Sequence, residues 1–232
     1  MAEVMIPLFP LDHVLMPGCG LPLRIFESRY RQLLADVTGL DGDRRFGVVS
    51  LLEGREVLEP GTEDTPFDGA VPRTAHIGTM AEILEVEPFS DGTSSVLTVG
   101  SSRFEIVRLT ETPAPYLVAE VRMLNEPVGD VPDGLAESAR SNALAYTDLL
   151  ARLTRIDADL EPYPRDPIAL SYRLASDTPL PRAERQALLE LDSAADRLRA
   201  VARILRRELM LLRETRTIAV SSAVLNEVLG RN

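Results

Sequence analysis

The sequence predicts an α+β protein, with a strand-rich first half followed by a helix-rich second half. Three observations carry this. From residue 3 to about 125, apolar residues alternate in short runs broken by turn residues, the period-two signature of strands. Beyond the segment NEPVGDVPDG at 125–134, with its two prolines and two glycines, the period lengthens to about 3.6, the signature of amphipathic helices. The composition, 45% hydrophobic and 26% charged, is that of a chain able to bury a core, and no apolar run approaches the length of a membrane-spanning helix.

Taken in order, LPLRIF at 21–26 reads as a strand running into a helix whose Tyr30, Leu33, Leu34 and Val37 recur at i, i+3, i+4 and i+7. FGVVSLL at 46–52 is a further strand, and EPGTEDTPFDGAVP at 59–72 a loop. MAEILEVEPF and SSVLTVGSSRFEIVRL flank Ser90, Asp91, Gly92 and Thr93, the turn of a long antiparallel hairpin. In LVAEVRM, Leu117, Ala119, Val121 and Met123 share the core face, and Val118, Glu120 and Arg122 the other.

The proline- and glycine-rich segment divides the chain into subdomains 1–125 and 126–232. A helix is expected over about 134–157, with Tyr146, Leu149, Leu150, Leu153 and Ile156 as its buried stripe. Asp166 and Pro167 form an N-cap and first-turn pair that opens a short helix to about Ser176. A third helix follows over about 182–191. Ser193 with Asp196 caps the longest one, whose core face is Leu198, Val201, Leu205, Leu209 and Leu212.

The net charge of −11 is uneven: residues 1–125 hold 10 Arg against 19 Asp and Glu (−9), and the remainder 15 against 17 (−2). Such a field repels a phosphate backbone, so nucleic acid is disfavoured as a partner. All 25 basic residues are arginine. Without lysine these residues cannot form a P-loop, a Schiff base or a Ser-Lys dyad. The single cysteine, Cys19, forms no internal disulfide and no export signal is visible, so a cytoplasmic location is expected. His13, Cys19 and His76 match no metal or Cys-His spacing. The Asp41-x-Asp43 start fails as a calcium loop, because Phe46 and Leu52 stand where Gly and Glu are required. No catalytic, metal or cofactor-binding residue is assigned.

Candidate protein contacts remain. Arg24 and Glu27 sit at the strand-to-helix junction, where their charges pair, cap the helix or face a partner. Phe67 and Phe89 lie in expected turns and Tyr116 starts a strand; the ordinary alternative for each is packing under a loop. Arg199, Arg203, Arg206 and Arg213 form one stripe on the last helix, a salt-bridged flank or a docking edge.

Several blocks in order carry a family resemblance: IPLFPLDHVLMPGCGLPLRIFESRYRQLLAD at 6–36, FGVV at 46–49, IGTMAEI at 77–83, GSSRFEI at 100–106, PYLVAEV at 115–121, DPIALSYRLA at 166–175 and RQALLE at 185–190. Together they resemble the N-terminal, substrate-binding domain of the ATP-dependent Lon protease, in its stand-alone bacterial form. The resemblance implies a PUA-like mixed or antiparallel β-barrel followed by a C-terminal helical bundle. It further implies a non-enzymatic module that binds polypeptide substrates or a partner protein such as a protease, without cofactor and without membrane. It departs at Arg24, where the family's block commonly carries histidine. Alternatives are an RNA-binding PUA-like module, or a small-molecule site or enzyme in a cleft between barrel and bundle. The oligomeric state is not specified.

Overall fold

The computed structural model describes residues 3–40, 42–53, 73–154 and 162–215, in two units, Met1–Asn125 and Glu126–Asn232. The first holds β1 (Glu3–Leu11), β2 (Gly20–Ile25), α1 (Ser28–Thr38), β3 (Arg45–Glu53), β4 (Arg73–Thr74), β5 (Ile77–Pro88), β6 (Ser94–Thr110) and β7 (Leu117–Met123). The second holds α2 (Leu135–Thr154), α3 (Pro167–Asp177), α4 (Arg182–Glu190) and α5 (Ala194–Thr215). An antiparallel and mixed sheet followed by helices is the expected class.

The seven strands form one sheet in the order β1-β7-β6-β5-β3-β4, and β1 also pairs with β3 in parallel, Leu8 opposite Gly47 and Leu11 opposite Ser50. Pairing therefore returns to its starting strand, but not as a regular closed barrel. β6 is 17 residues long; its first part pairs β2 and its last part β7, so β2 branches from the path, and register shifts interrupt both β5–β6 and β6–β7. The phase of the β2 ladder explains a proline inside a strand. Gly100 N–H donates to the Cys19 carbonyl (2.9 Å) and Gly18 N–H to that of Gly100 (2.8 Å). Two-residue repetition then turns the backbone groups of Leu21, Leu23 and Ile25 toward β6, and the nitrogen of Pro22 toward the free edge.

Neighbouring residues on the central strands feed two cores. Phe9, Val48 and Ala81 join Tyr30, Leu33, Leu34 and Val37 of α1, while the adjacent Leu8, Val49 and Met80 join Phe104, Ala119 and Val121. Burial on both faces is why β1 and β3 read as nearly continuous apolar runs. Gly47 and Gly78 make the second core possible. A Cβ on either would lie 2.7 or 2.6 Å from Cζ of the fully buried Phe104, so two bare backbones form the slot for its ring.

In the second unit α5 packs on α2, α3 and α4. Its core face, Leu198, Val201, Leu205, Leu209 and Leu212, is buried as expected. The expected caps are also present: Asp166 accepts from Ala169 N–H (2.8 Å), and Ser193 Oγ from Asp196 N–H (3.1 Å). The stripe of α2 needs correction. Its buried residues are Ala139, Ala143, Tyr146 and Leu150, whereas Leu149 is half-buried, Leu153 is exposed and Ile156 lies outside the described residues. Tyr146 and Leu150 are buried as expected, but small alanines take the other packing positions, so the buried face is rotated away from Leu149 and Leu153.

Candidate functional site

A recess of about 190 Å³ opens where β1, β2 and α1 meet, lined by Phe9, Leu11, Pro22, Leu23, Arg24, Phe26, Glu27 and Tyr30. Each element supplies a different part. Phe9 and Tyr30 stack with ring centroids 4.1 Å apart to make an apolar floor, braced by Phe46 at 5.7 Å from Phe9. Leu21, Leu23 and Ile25 point inward along β2, so Phe26, next after Ile25, is turned outward and stays 45% exposed at the rim.

Glu27 occupies the N-cap position of α1 with extended backbone, and its carbonyl accepts from the N–H groups of Tyr30 and Arg31 (3.1 and 2.9 Å). Its side chain makes no cap hydrogen bond. It instead pairs at 2.6 Å with Arg29, whose guanidinium lies over the Tyr30 ring at 4.6 Å. Glu27 therefore pairs with Arg29 of its own helix and not with Arg24, and its side chain does not cap the helix.

Arg24 is held by the β5–β6 turn. Its Nη2 donates to Thr93 Oγ1 (3.0 Å) and lies 3.7 Å from Asp91 Oδ2, and its guanidinium covers the Phe89 ring at 4.6 Å. Hydrogen bonds from the Thr93 hydroxyl and backbone N–H, with Arg24 contributing less, hold the Asp91 carboxyl below its ordinary range. Gly92, at φ +80°, completes that turn. Arg24 thus shares the recess with Glu27 and rests on Phe89 as its platform.

Tyr116 packs against the first core and donates to Asp36 Oδ2 on α1 (2.6 Å). Burial first, and then the Asp36 hydrogen bond, push its phenol up to about 12. A group that holds its proton more tightly when folded contributes stability in full below pH 10, and that contribution falls between pH 10 and about 12. Absorbance titration of the chain minus Tyr116→Phe should show a phenolate midpoint near pH 12, moving toward 10 in Asp36→Asn; a midpoint at 10 in the unaltered chain refutes the contact.

Phe67 lies outside the described residues. The arginine stripe belongs to the second unit. Arg199 donates to Asp196 Oδ1 (3.0 Å) and to the Asp130 carbonyl (2.6 Å), Arg206 Nε donates to the Ala202 carbonyl (3.1 Å), and Arg203 and Arg213 are exposed. Among the described residues no group of three His, Cys, Asp or Glu side chains is arranged to hold a metal, and no helix is long and apolar enough to cross a membrane. Sequence reading missed Phe26 and the Phe9–Tyr30 floor, although the strand alternation already placed Phe26 on the outer side.

Residues 5–207 match the family described as the ATP-dependent protease La (LON) substrate-binding domain. The chain belongs to this family. As a Lon substrate-binding domain it is 31% identical over 214 residues to Lon protease 2 of Herpetosiphon aurantiacus, covering 89% of this chain and 24% of that protein. It is 27% identical over 227 residues to Lon protease of Escherichia coli K12, covering 93% of this chain and 26% of that protein. The chain thus spans about a quarter of the length of these relatives. Among solved structures, the Lon N-terminal domain protein from Xanthomonas campestris is similar at TM-score 0.58 and 27% identity, over 84% of this chain and 95% of that one. The N-terminal domain of Mycobacterium avium complex Lon protease shares the fold at TM-score 0.59 and 19% identity, over 88% and 98%. The recess lies within the matched residues.

Proposed function

We propose that this Lon substrate-binding domain is a non-enzymatic polypeptide-binding module, and that the β1–β2–α1 recess accepts one large apolar side chain from an unfolded segment. The observation that carries this is the pairing of an exposed Phe26 with a stacked aromatic floor. Size supports it: about 190 Å³ is below the roughly 300–1,000 Å³ of small-molecule sites and near the roughly 150 Å³ cavity that holds one benzene. The absence of lysine removes the P-loop and Ser-Lys chemistries from these 232 residues. Delivery of bound segments to a protease, and a cytoplasmic setting, belong to the same reading. RNA is a poorer fit to a half carrying −9.

Fluorescence anisotropy with a labelled, permanently unfolded polypeptide tests this. Phe26→Ser should raise Kd about tenfold, the ~1.4 kcal/mol of one modest aromatic anchor, with an unchanged melting curve. Equal binding by both chains, or none by either, overturns the proposal.

A further inference from the structure

The recess does not end at its rim. Pro22 and Arg24 line it and also belong to the outer face of the β2–β6–β5 sheet, because directly opposed residues share a face. One row across these strands reads Pro22, Leu97, Glu85; the next reads Arg24, Ser95, Glu87; Glu82 stands opposite Val99 on the same side. Leu97 is 42% and Leu84 58% exposed, the latter in the register shift between Ile83 and Glu85. An apolar stripe therefore leaves the recess over Pro22 and Leu97 and reaches Leu84 beside a line of glutamates.

The charges on this face are unequal in their freedom. Both cations in these rows are engaged, Arg24 by Asp91 and Thr93, and Arg45, which stands opposite Glu82, by Asp43. Among the described residues Glu82, Glu85 and Glu87 have no ion-pair partner. They stand in a half of the chain that carries −9, so the local and the overall field have the same sign.

We infer that the polypeptide class this face takes is an extended apolar segment carrying arginine or lysine, its apolar side chain in the recess and its cation on Glu85 and Glu87. This rests on the recess reading above and adds charge selection and a register. Two inter-strand steps of about 4.8 Å separate Pro22 from Glu85, close to 10 Å in all. An extended chain covers that in about three residues. The cation that matters is therefore about three positions from the anchor.

Three labelled peptides with one phenylalanine, differing in having Arg three positions away, Glu three positions away, or Arg immediately adjacent, test this on the full chain by anisotropy. At about 20 mM salt the first should bind about three- to tenfold tighter than the second, as two exposed ion pairs permit, and tighter than the third. The preference should vanish at about 0.5 M salt, where screening is complete within a few Å, and in Glu85→Gln/Glu87→Gln, whose exposed positions leave melting unchanged. Equal binding of Arg and Glu peptides, with Phe26→Ser weakening both, overturns the charge selection while the recess reading stands. If Phe26→Ser weakens neither, the recess reading fails and this one with it. A concentration-dependent dimer by light scattering that Leu97→Ser abolishes assigns the stripe to a second copy and also overturns the inference.

Discussion

Arg197→Met is expected to cost the second unit about 3–5 kcal/mol, the range for breaking a buried ion pair from one side, and to lower its Tm by roughly 10 °C or more. The Arg197 side chain is completely buried. Nε donates to Ser171 Oγ (3.0 Å) and Nη1 to the Leu191 carbonyl (3.0 Å), while Nη2 lies 3.6 Å from Glu126 Oε2. The guanidinium covers the Tyr172 ring at 3.8 Å, and the Tyr172 hydroxyl donates to the same Glu126 oxygen (2.6 Å). Methionine fills much of the volume but leaves the Leu191 carbonyl and the Glu126 carboxylate without their cation, so the loss is one of desolvated polar groups, not of packing. Glu126→Gln in the same background should return part of the stability, because a neutral amide is cheaper to leave beside methionine than a carboxylate. Chemical denaturation followed by circular dichroism reads both. A loss below about 1 kcal/mol for Arg197→Met would show that the guanidinium is not holding these groups together.

The second large effect concerns the glycine slot around Phe104. Gly47→Ala and Gly78→Ala should each destabilise the first unit by about 1–3 kcal/mol or more, as overpacking of a filled core does. Their rescue should differ. At Gly47 the new methyl would meet the ends of three side chains, Phe104 Cζ at 2.7 Å and Ile6 Cδ1 and Leu8 Cδ2 at 2.8 Å. At Gly78 it would meet the Val48 carbonyl oxygen at 2.5 Å, a backbone atom held in the sheet. Phe104→Leu, itself costly, should therefore partly suppress Gly47→Ala and leave Gly78→Ala unrelieved. A double-mutant cycle measures the difference directly. Equal coupling in the two cycles would mean that the Phe104 ring, rather than the backbone, limits both sites.

Arg197 also shows where reading a sequence reaches its limit. The 3.6-residue period puts it only at the flank of the apolar face of α5, four residues before Val201 but adjacent in sequence to Leu198, and charge argues for the surface. The groups brought by Glu126, Ser171, Tyr172 and Leu191 help make that burial tolerable, and their convergence is tertiary. α1 was legible because Tyr30, Leu33, Leu34 and Val37 form an unambiguous stripe, and all four are buried. In α2 the packing falls on alanines, which carry little periodic signal. At the recess, alternation along β2 orients Phe26, but Thr93, the hydrogen-bond partner of Arg24, lies 69 residues away on a turn that no local pattern connects to it. The PUA-like barrel expectation was correct in class and incomplete in detail: β6 is divided between β2 and β7, a branching of the sheet that alternation along one strand does not reveal.

The placement of β1 has a consequence for the newborn chain. Residues 3–8 pair with 117–122, and residues 8–11 with 47–50, so the first strand of this unit is held on one side by its last. At 5–20 residues per second a ribosome needs roughly 6–25 s to reach β7. Throughout that interval EVMIPLFPL is an apolar strand with an unclaimed edge, the kind of segment that templates aggregation. Pro7 and Pro10 remove two donors from it, so the strand is a poor template for other chains while it waits for its own partner.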